Sequence, residues 1–145
     1  MPRISASGFL APGDIPARIA AWCEEHGLPS PRGRAAIVRS IIESLSAGFA
    51  RALDQVAELA GRTIRRVHVV GGGSLNRLLC QAIADRSGRV VIAGPVEATA
   101  LGNVLVQGRA VGAITGSLEA LRDLVARTHD LVTYEPRTVG SGGER

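Results

Sequence analysis

The chain has 145 residues, 46% of them hydrophobic, and a formal net charge of +4 set by 17 arginines, with no lysine, against 13 acids. That length suffices for one domain with its own core, and the absence of lysine excludes a GxxxxGK[ST] phosphate loop. Aromatic residues, at 3%, are too few for base-stacking platforms, and no run of about 18 apolar residues is present to span a membrane, so neither nucleic acid nor a membrane is an expected partner.

The first 13 residues read as irregular. They lack a basic segment followed by an apolar core, so no secretory signal is read there and a cytoplasmic location is expected. Asp14 can cap a helix with Pro16 in its first turn, Ile15, Ile19, Ala20, Trp22 and Cys23 on its apolar side, and Gly27 as its stop. After the turn "LPSPRG", a long helix is predicted from Arg34 to Ala60. Its residues Ile37, Ile41, Leu45, Phe49, Leu53 and Val56 recur at spacings of three and four, widened by Val38, Ile42 and Leu59. Gly61 ends it. "IRRVHVV" alternates and closes on β-branched residues, which predicts a strand. Beyond the glycines, a helix is expected over Leu75 to Arg86 with Leu75, Leu78, Leu79, Ala82 and Ile83 inward, followed by a short strand at "RVVIA".

"GPVEATALGNVLVQGRAVGAI" predicts a further helix from about Glu97 to Gly112, rich in Ala98, Ala100, Gly102, Gly108, Ala110 and Gly112. An interior glycine weakens a helix by about 1 kcal/mol relative to alanine, so several of them predict a close approach to this backbone. "SLEALRDLVART" gives another helix, "DLVTYEP" is a candidate final strand, and residues 137–145 read as a disordered tail. Two firm strands make a thin sheet for a complete α/β domain. The element count therefore predicts a carboxy-terminal piece of a larger protein.

Cys23 and Cys80 form no CxxC pair, and His26, His68 and His129 do not cluster, so reduced thiols and no metal site are expected. The feature that carries chemistry is "VHVVGGGSLNRLL", residues 67–79. A strand that enters a helix through glycines can aim backbone amides at an anion or lie flat against a ring. Ser74 can cap the following helix, and Asn76 can both donate and accept. A tight β-to-α turn with a serine cap explains the same residues without any ligand, and both readings stand on this stretch alone. The dinucleotide fingerprint G-x-G-x-x-G does not fit. Asn76 stands where its last glycine would be, and "VVIAGP" ends its strand without an acid.

The pairing of "VGGGS-N" with "GPVEATALGN" resembles the FGGY family of carbohydrate kinases, within the actin-like ATPase superfamily, and most nearly its rhamnulose-phosphorylating branch. "FLAPGDIPARIAAWCEEHGLPSP" and "GRAAIVRSIIESLSAGFARALDQV" look like the segment before the long helix of those kinases and that helix itself. The likeness runs to about Pro136. It implies a partial actin-like (ribonuclease H-like) α/β lobe over residues 1–136, helix-rich with a small incomplete sheet. It also implies that the glycine turn is part of the adenosine site for ATP. Carried across residue by residue, Gly72 and Asn76 lie nearest adenine and ribose, Gly71, Gly73 and Ser74 shape the turn, and the helix from Glu97 packs behind it.

The intact enzyme would use ATP and Mg2+ to phosphorylate a ketose such as rhamnulose. Its catalytic aspartate, phosphate-binding hairpin and magnesium ligands have no matching positions here, so no catalytic residue or metal ligand is expected in this chain. The chain alone should then be inactive, bind ATP only at about millimolar levels, and expose apolar surface that an absent kinase lobe would cover. Two other readings remain open. One is a non-catalytic nucleotide- or protein-binding module using the same turn. The other is an arginine-based nucleic-acid binder, against which the low aromatic content weighs.

Overall fold

The computed structural model describes residues 13–137. The expectations for the irregular start before Gly13 and for nearly all of the carboxy-terminal tail lie outside the described residues. The chain divides into two compact units, one ending at Ser44 and one beginning at Leu45.

In the first unit, helix α1 (Ile15–Glu25) begins where Asp14 accepts a hydrogen bond from the Ala17 backbone N–H at 3.0 Å, with proline in the first turn. It ends at His26, whose Nδ1 donates to the Trp22 carbonyl at 2.8 Å while the two rings stack at 4.1 Å. Gly27, at φ +64°, then turns the chain away. Cys23 is the buried residue of α1.

Helix α2 (Arg34–Ala60) is continuous over 27 residues, with the predicted bounds. Its apolar arc is only partly used. Ile42, Ser46 and Ala50 are buried, and Leu53 and Ala57 half-buried, whereas Val38, Ile41, Leu45, Phe49, Val56 and Leu59 are exposed. The arc is wider than the surface that covers it, as the expectation of exposed apolar surface requires.

The second unit is built on a three-stranded sheet in the order β1-β2-β3. Strand β1 (Arg66–Val69) runs parallel to β2 (Val90–Ala93), and β3 (Val132–Tyr134), the candidate final strand, is antiparallel to β2. Helix α3 (Arg77–Ser87) packs on this sheet. The core is Cys80, Ile83, Ala84, Val91, Ala93 and Tyr134, with Val67, Val69 and Leu79 against it. Leu75 and Leu78, predicted inward, are instead 69% and 67% exposed. The side of α3 that meets the sheet is the one carrying the small residues Cys80 and Ala84, which lets the helix axis approach a four-residue strand closely.

At the carboxy-terminal end of α2, Arg89 pairs with Asp54 at 2.8 Å and donates to the Ile64 carbonyl, fixing the entry to the sheet. Asp85 accepts from Gln81, from the Arg137 backbone N–H and from the Arg137 guanidinium at 2.6 Å, fastening the chain beyond β3 to α3. The Arg137 hydrogen bond holds the Asp85 carboxyl well below the usual range, at about 2.

Helices α4 (Ala98–Ala110) and α5 (Leu118–Thr128) complete the described chain. Ser117 caps α5, accepting from Ala120 N–H, and Leu121 is buried. The expectation that the small-residue helix backs the glycine turn is not met, because no residue of α4 is buried. Of its two glycines, Gly108 has a local neighbour, since a Cβ there would lie 2.9 Å from Ile114 Cδ1 where the chain folds back after α4, while a Cβ on Gly102 would meet nothing within 4 Å and packing among the described residues does not explain it. No helix among the described residues is long and apolar enough to cross a membrane.

Candidate functional site

Strand β1 leaves the sheet through Val70 in extended conformation and enters a 3-10 helix, Gly71–Leu75, before α3 begins. Gly71 adopts φ +73°, a left-handed conformation that side-chain-bearing residues seldom take. The next residues wind tightly enough that Asn76 N–H reaches the Gly73 carbonyl at 3.1 Å.

Asn76 takes the capping role expected of Ser74. Ser74 does not cap α3. It is buried, and its Oγ donates to the Gly71 carbonyl at 2.7 Å, closing the glycine turn on itself. Asn76 is the cap, its Oδ1 accepting from Leu79 N–H at 3.1 Å. The helix therefore starts at Arg77 rather than Leu75. With its side-chain oxygen engaged in the cap, Asn76 offers the amide Nδ2 as its outward donor.

Beneath the turn lies Cys80, fully buried, whose Sγ approaches the carbonyls of Gly73 and Ser74 at 3.7 and 3.8 Å. Burial pushes its thiol up, so it remains a neutral packing group. Both cysteines are free and buried.

Gly71, Gly72, Gly73, Ser74 and Asn76 thus share one turn at the carboxyl end of β1. The loop leaving the parallel neighbour β2 meets it there. Gly71 N–H bonds the Pro95 carbonyl at 3.4 Å, and Gly94 N–H bonds the Val69 carbonyl at 2.8 Å. Crevices outside the carboxyl ends of parallel strands are where α/β sheets hold ligands. Gly72 and Gly73 are exposed, and a Cβ on Gly72 would meet nothing within 4 Å. Packing among the described residues does not demand glycine at position 72.

The same β2 loop borders a shallow cavity of about 320 Å3 lined by Pro95, Val96, Glu97, Leu101, His129 and Asp130. Glu97 stands at the amino terminus of α4 without a capping hydrogen bond from its side chain. The cavity's lining is almost entirely apolar, which suits a neutral ring better than a phosphate. Spacing could not have shown this group, because His129 and Asp130 reach Glu97 only through the antiparallel return into β3. No cluster of three or more His, Cys, Asp or Glu suited to a metal ion occurs among the described residues.

Residues 3–111 match the C-terminal domain of the FGGY family of carbohydrate kinases. The chain belongs to this family. The FGGY match includes α1, α2, the glycine turn and α4. Among its relatives, the chain is 41% identical over 133 residues to a rhamnulokinase of Bacteroides thetaiotaomicron, covering 92% of this chain and 27% of that protein. It is 38% identical over 128 residues to a rhamnulokinase of Klebsiella pneumoniae, covering 88% and 26%. A rhamnulokinase of Pectobacterium atrosepticum is 40% identical over 129 residues, covering 89% and 26%. The chain therefore spans about a quarter of the length of these FGGY kinases.

Proposed function

We propose that the chain supplies the adenosine side of the ATP site in a rhamnulokinase-like sugar kinase, as part of an actin-like (ribonuclease H-like) lobe formed by residues 1–136. The observation that carries this reading is Gly72. It is an exposed glycine that packing among the described residues does not require, on a turn where the loops after two parallel strands meet. A bare backbone is what a flat purine needs to come within van der Waals range.

In this role Gly71, Gly72 and Gly73 form a wall against the adenine. Ser74 and Cys80 hold the wall's shape from beneath, and Asn76 Nδ2 donates towards the ribose. The turn itself, Val70 to Asn76, carries no charged side chain, which suits the nucleoside rather than the phosphates. ATP supplies the phosphoryl group and Mg2+ the charge neutralisation at its oxygens, and the acceptor is a hydroxyl of a ketose such as rhamnulose. In this reading the Mg2+ ligands and the catalytic base lie in the remaining three quarters of a rhamnulokinase-length chain. An open sheet supports the same division. The outer edge of β1 has no strand partner among the described residues, and a fuller actin-like lobe would continue from it. A bacterial kinase of this kind works in the cytoplasm.

Joining the chain to the preceding three quarters of the Bacteroides thetaiotaomicron rhamnulokinase tests the reading. The chimera is expected to release ADP only when rhamnulose, ATP and Mg2+ are all present, while the 145-residue chain alone releases none. A correctly folded chimera without sugar-dependent ADP release would contradict it.

A further inference from the structure

Strand β3 is three residues long and is paired on one side only, to β2, with no strand beyond it among the described residues. A short edge strand is among the first elements to open locally. A second fastening lies just past its end. Asp85 of α3 takes the Arg137 backbone N–H on Oδ1 at 2.9 Å and the Arg137 guanidinium on Oδ2 at 2.6 and 3.1 Å. Gln81, one turn earlier, donates to Asp85 Oδ1 at 2.8 Å and to the Glu135 carbonyl at 2.9 Å. Hydrogen bonds between ionised partners are roughly twice as strong as neutral ones. Asp85 is the sheltered member of the pair, its side chain 24% exposed against 71% for Arg137.

The other end of β3 bears on the glycine turn. Gly94, at φ +107°, lies so near the segment entering β3 that a Cβ on it would stand 3.3 Å from the Asp130 carbonyl oxygen and from Leu131 Cδ2. Gly94 N–H bonds the Val69 carbonyl at 2.8 Å, and the next carbonyl, that of Pro95, receives Gly71 N–H at 3.4 Å. One continuous run of contacts therefore joins the Arg137 end of β3 to the first glycine of the turn. The FGGY match stops at residue 111, before α5 and β3. The likeness to the Bacteroides thetaiotaomicron rhamnulokinase covers 133 residues of this chain and so ends no earlier than residue 133, inside β3. The segment that enters β3 is thus matched in a rhamnulokinase although it lies outside the family-wide match.

We propose that Asp85 is a positioning residue for the glycine turn: it holds Arg137, keeps β3 on the sheet, and through β3 fixes the β2 loop against Gly71. Asp85 stands nine residues beyond Asn76, about 13 Å along α3. It therefore acts on the turn through β3 and not by touching what the turn binds. The effect on ATP rests on the reading of the turn as the adenosine side, whereas the effect on the turn's backbone does not.

Amide hydrogen exchange of Gly71 and Gly94 in the 145-residue chain, under native conditions, tests the positioning without any nucleotide. Asp85→Ala is expected to speed both amides by about ten-fold or more, as local opening of an element does. Arg137→Ala, at an exposed side chain, should do the same, and the double variant no more than either single one. Asp85→Asn, which keeps an acceptor for the Arg137 N–H, should fall between. Arg89→Ala breaks the ion pair to Asp54 where the chain enters β2, and should lower the urea midpoint without speeding these amides. In the active chimera, Asp85→Ala should raise KM for ATP about five- to ten-fold and leave kcat within about two-fold. Unchanged exchange in Asp85→Ala and Arg137→Ala, or an equal rise in Arg89→Ala, would overturn the proposal. Faster exchange with an unchanged KM for ATP would uphold the positioning and count against the adenosine reading instead.

Discussion

Gly72→Val in the rhamnulokinase chimera is expected to leave folding intact and lower kcat/KM for ATP by about 100-fold, equivalent to ~2.7 kcal/mol of lost transition-state binding. The two halves of this expectation rest on one fact. A Cβ at position 72 would meet no atom of the described residues within 4 Å, so the branched side chain fits the protein and extends into space that the proposal gives to the nucleotide. Exposed substitutions without a broken contact stay within about ±0.5 kcal/mol, and the thermal midpoint should hardly move. The Michaelis constant for the sugar should stay near its original value, because the proposed role gives the turn to the nucleotide and not to the sugar. An unchanged kcat/KM for ATP would remove Gly72 from the site.

The neighbouring substitution, Gly71→Val, is expected to behave in the opposite way. Here too a Cβ would meet no atom within 4 Å, but the residue sits at φ +73°. A β-branched residue held in that region costs about 1–3 kcal/mol. The strain falls where it matters, since the Gly71 carbonyl receives the Ser74 hydroxyl and its N–H meets Pro95. Gly71→Val should therefore lower the urea midpoint of the 145-residue chain with no nucleotide present, and Gly71→Asn, which tolerates positive φ better, should lower it less. Equal midpoints for Gly71→Val and the parent would show that the left-handed turn is not required.

Much of this fold is legible in the sequence because its boundaries are set locally. Asp14 and Ser117 cap their helices within three residues, and Gly27 and Gly61 end theirs by taking positive φ. The bounds of α2 follow from the same kind of signal. What was not legible depends on contacts made at a distance. Ser74 and Asn76 are both competent caps, and the choice between them follows from Ser74 being buried against Gly71. The orientation of α3 is decided by how closely its small residues approach β2, which periodicity does not encode, and so Leu75 and Leu78 were assigned to the wrong side. The glycines of α4 predicted a close neighbour, yet the only close neighbour found is Ile114 on Gly108, four residues beyond the helix. For the candidate site, the five residues of the turn are readable from one short stretch, but the meeting with Pro95 and the cavity that includes His129 and Asp130 depend on strand pairing.

In the proposed role, the backbone between β1 and α3 lies against adenine. Photolabelling the active chimera with 8-azido-ATP addresses it directly, because trypsin cuts after Arg66 and Arg77 and releases the turn as the single peptide VHVVGGGSLNR. This peptide is expected to carry the label, excess ATP to abolish the labelling, and Gly72→Val to remove it. Label recovered from other peptides alone, with VHVVGGGSLNR unmodified in an active enzyme, would contradict it.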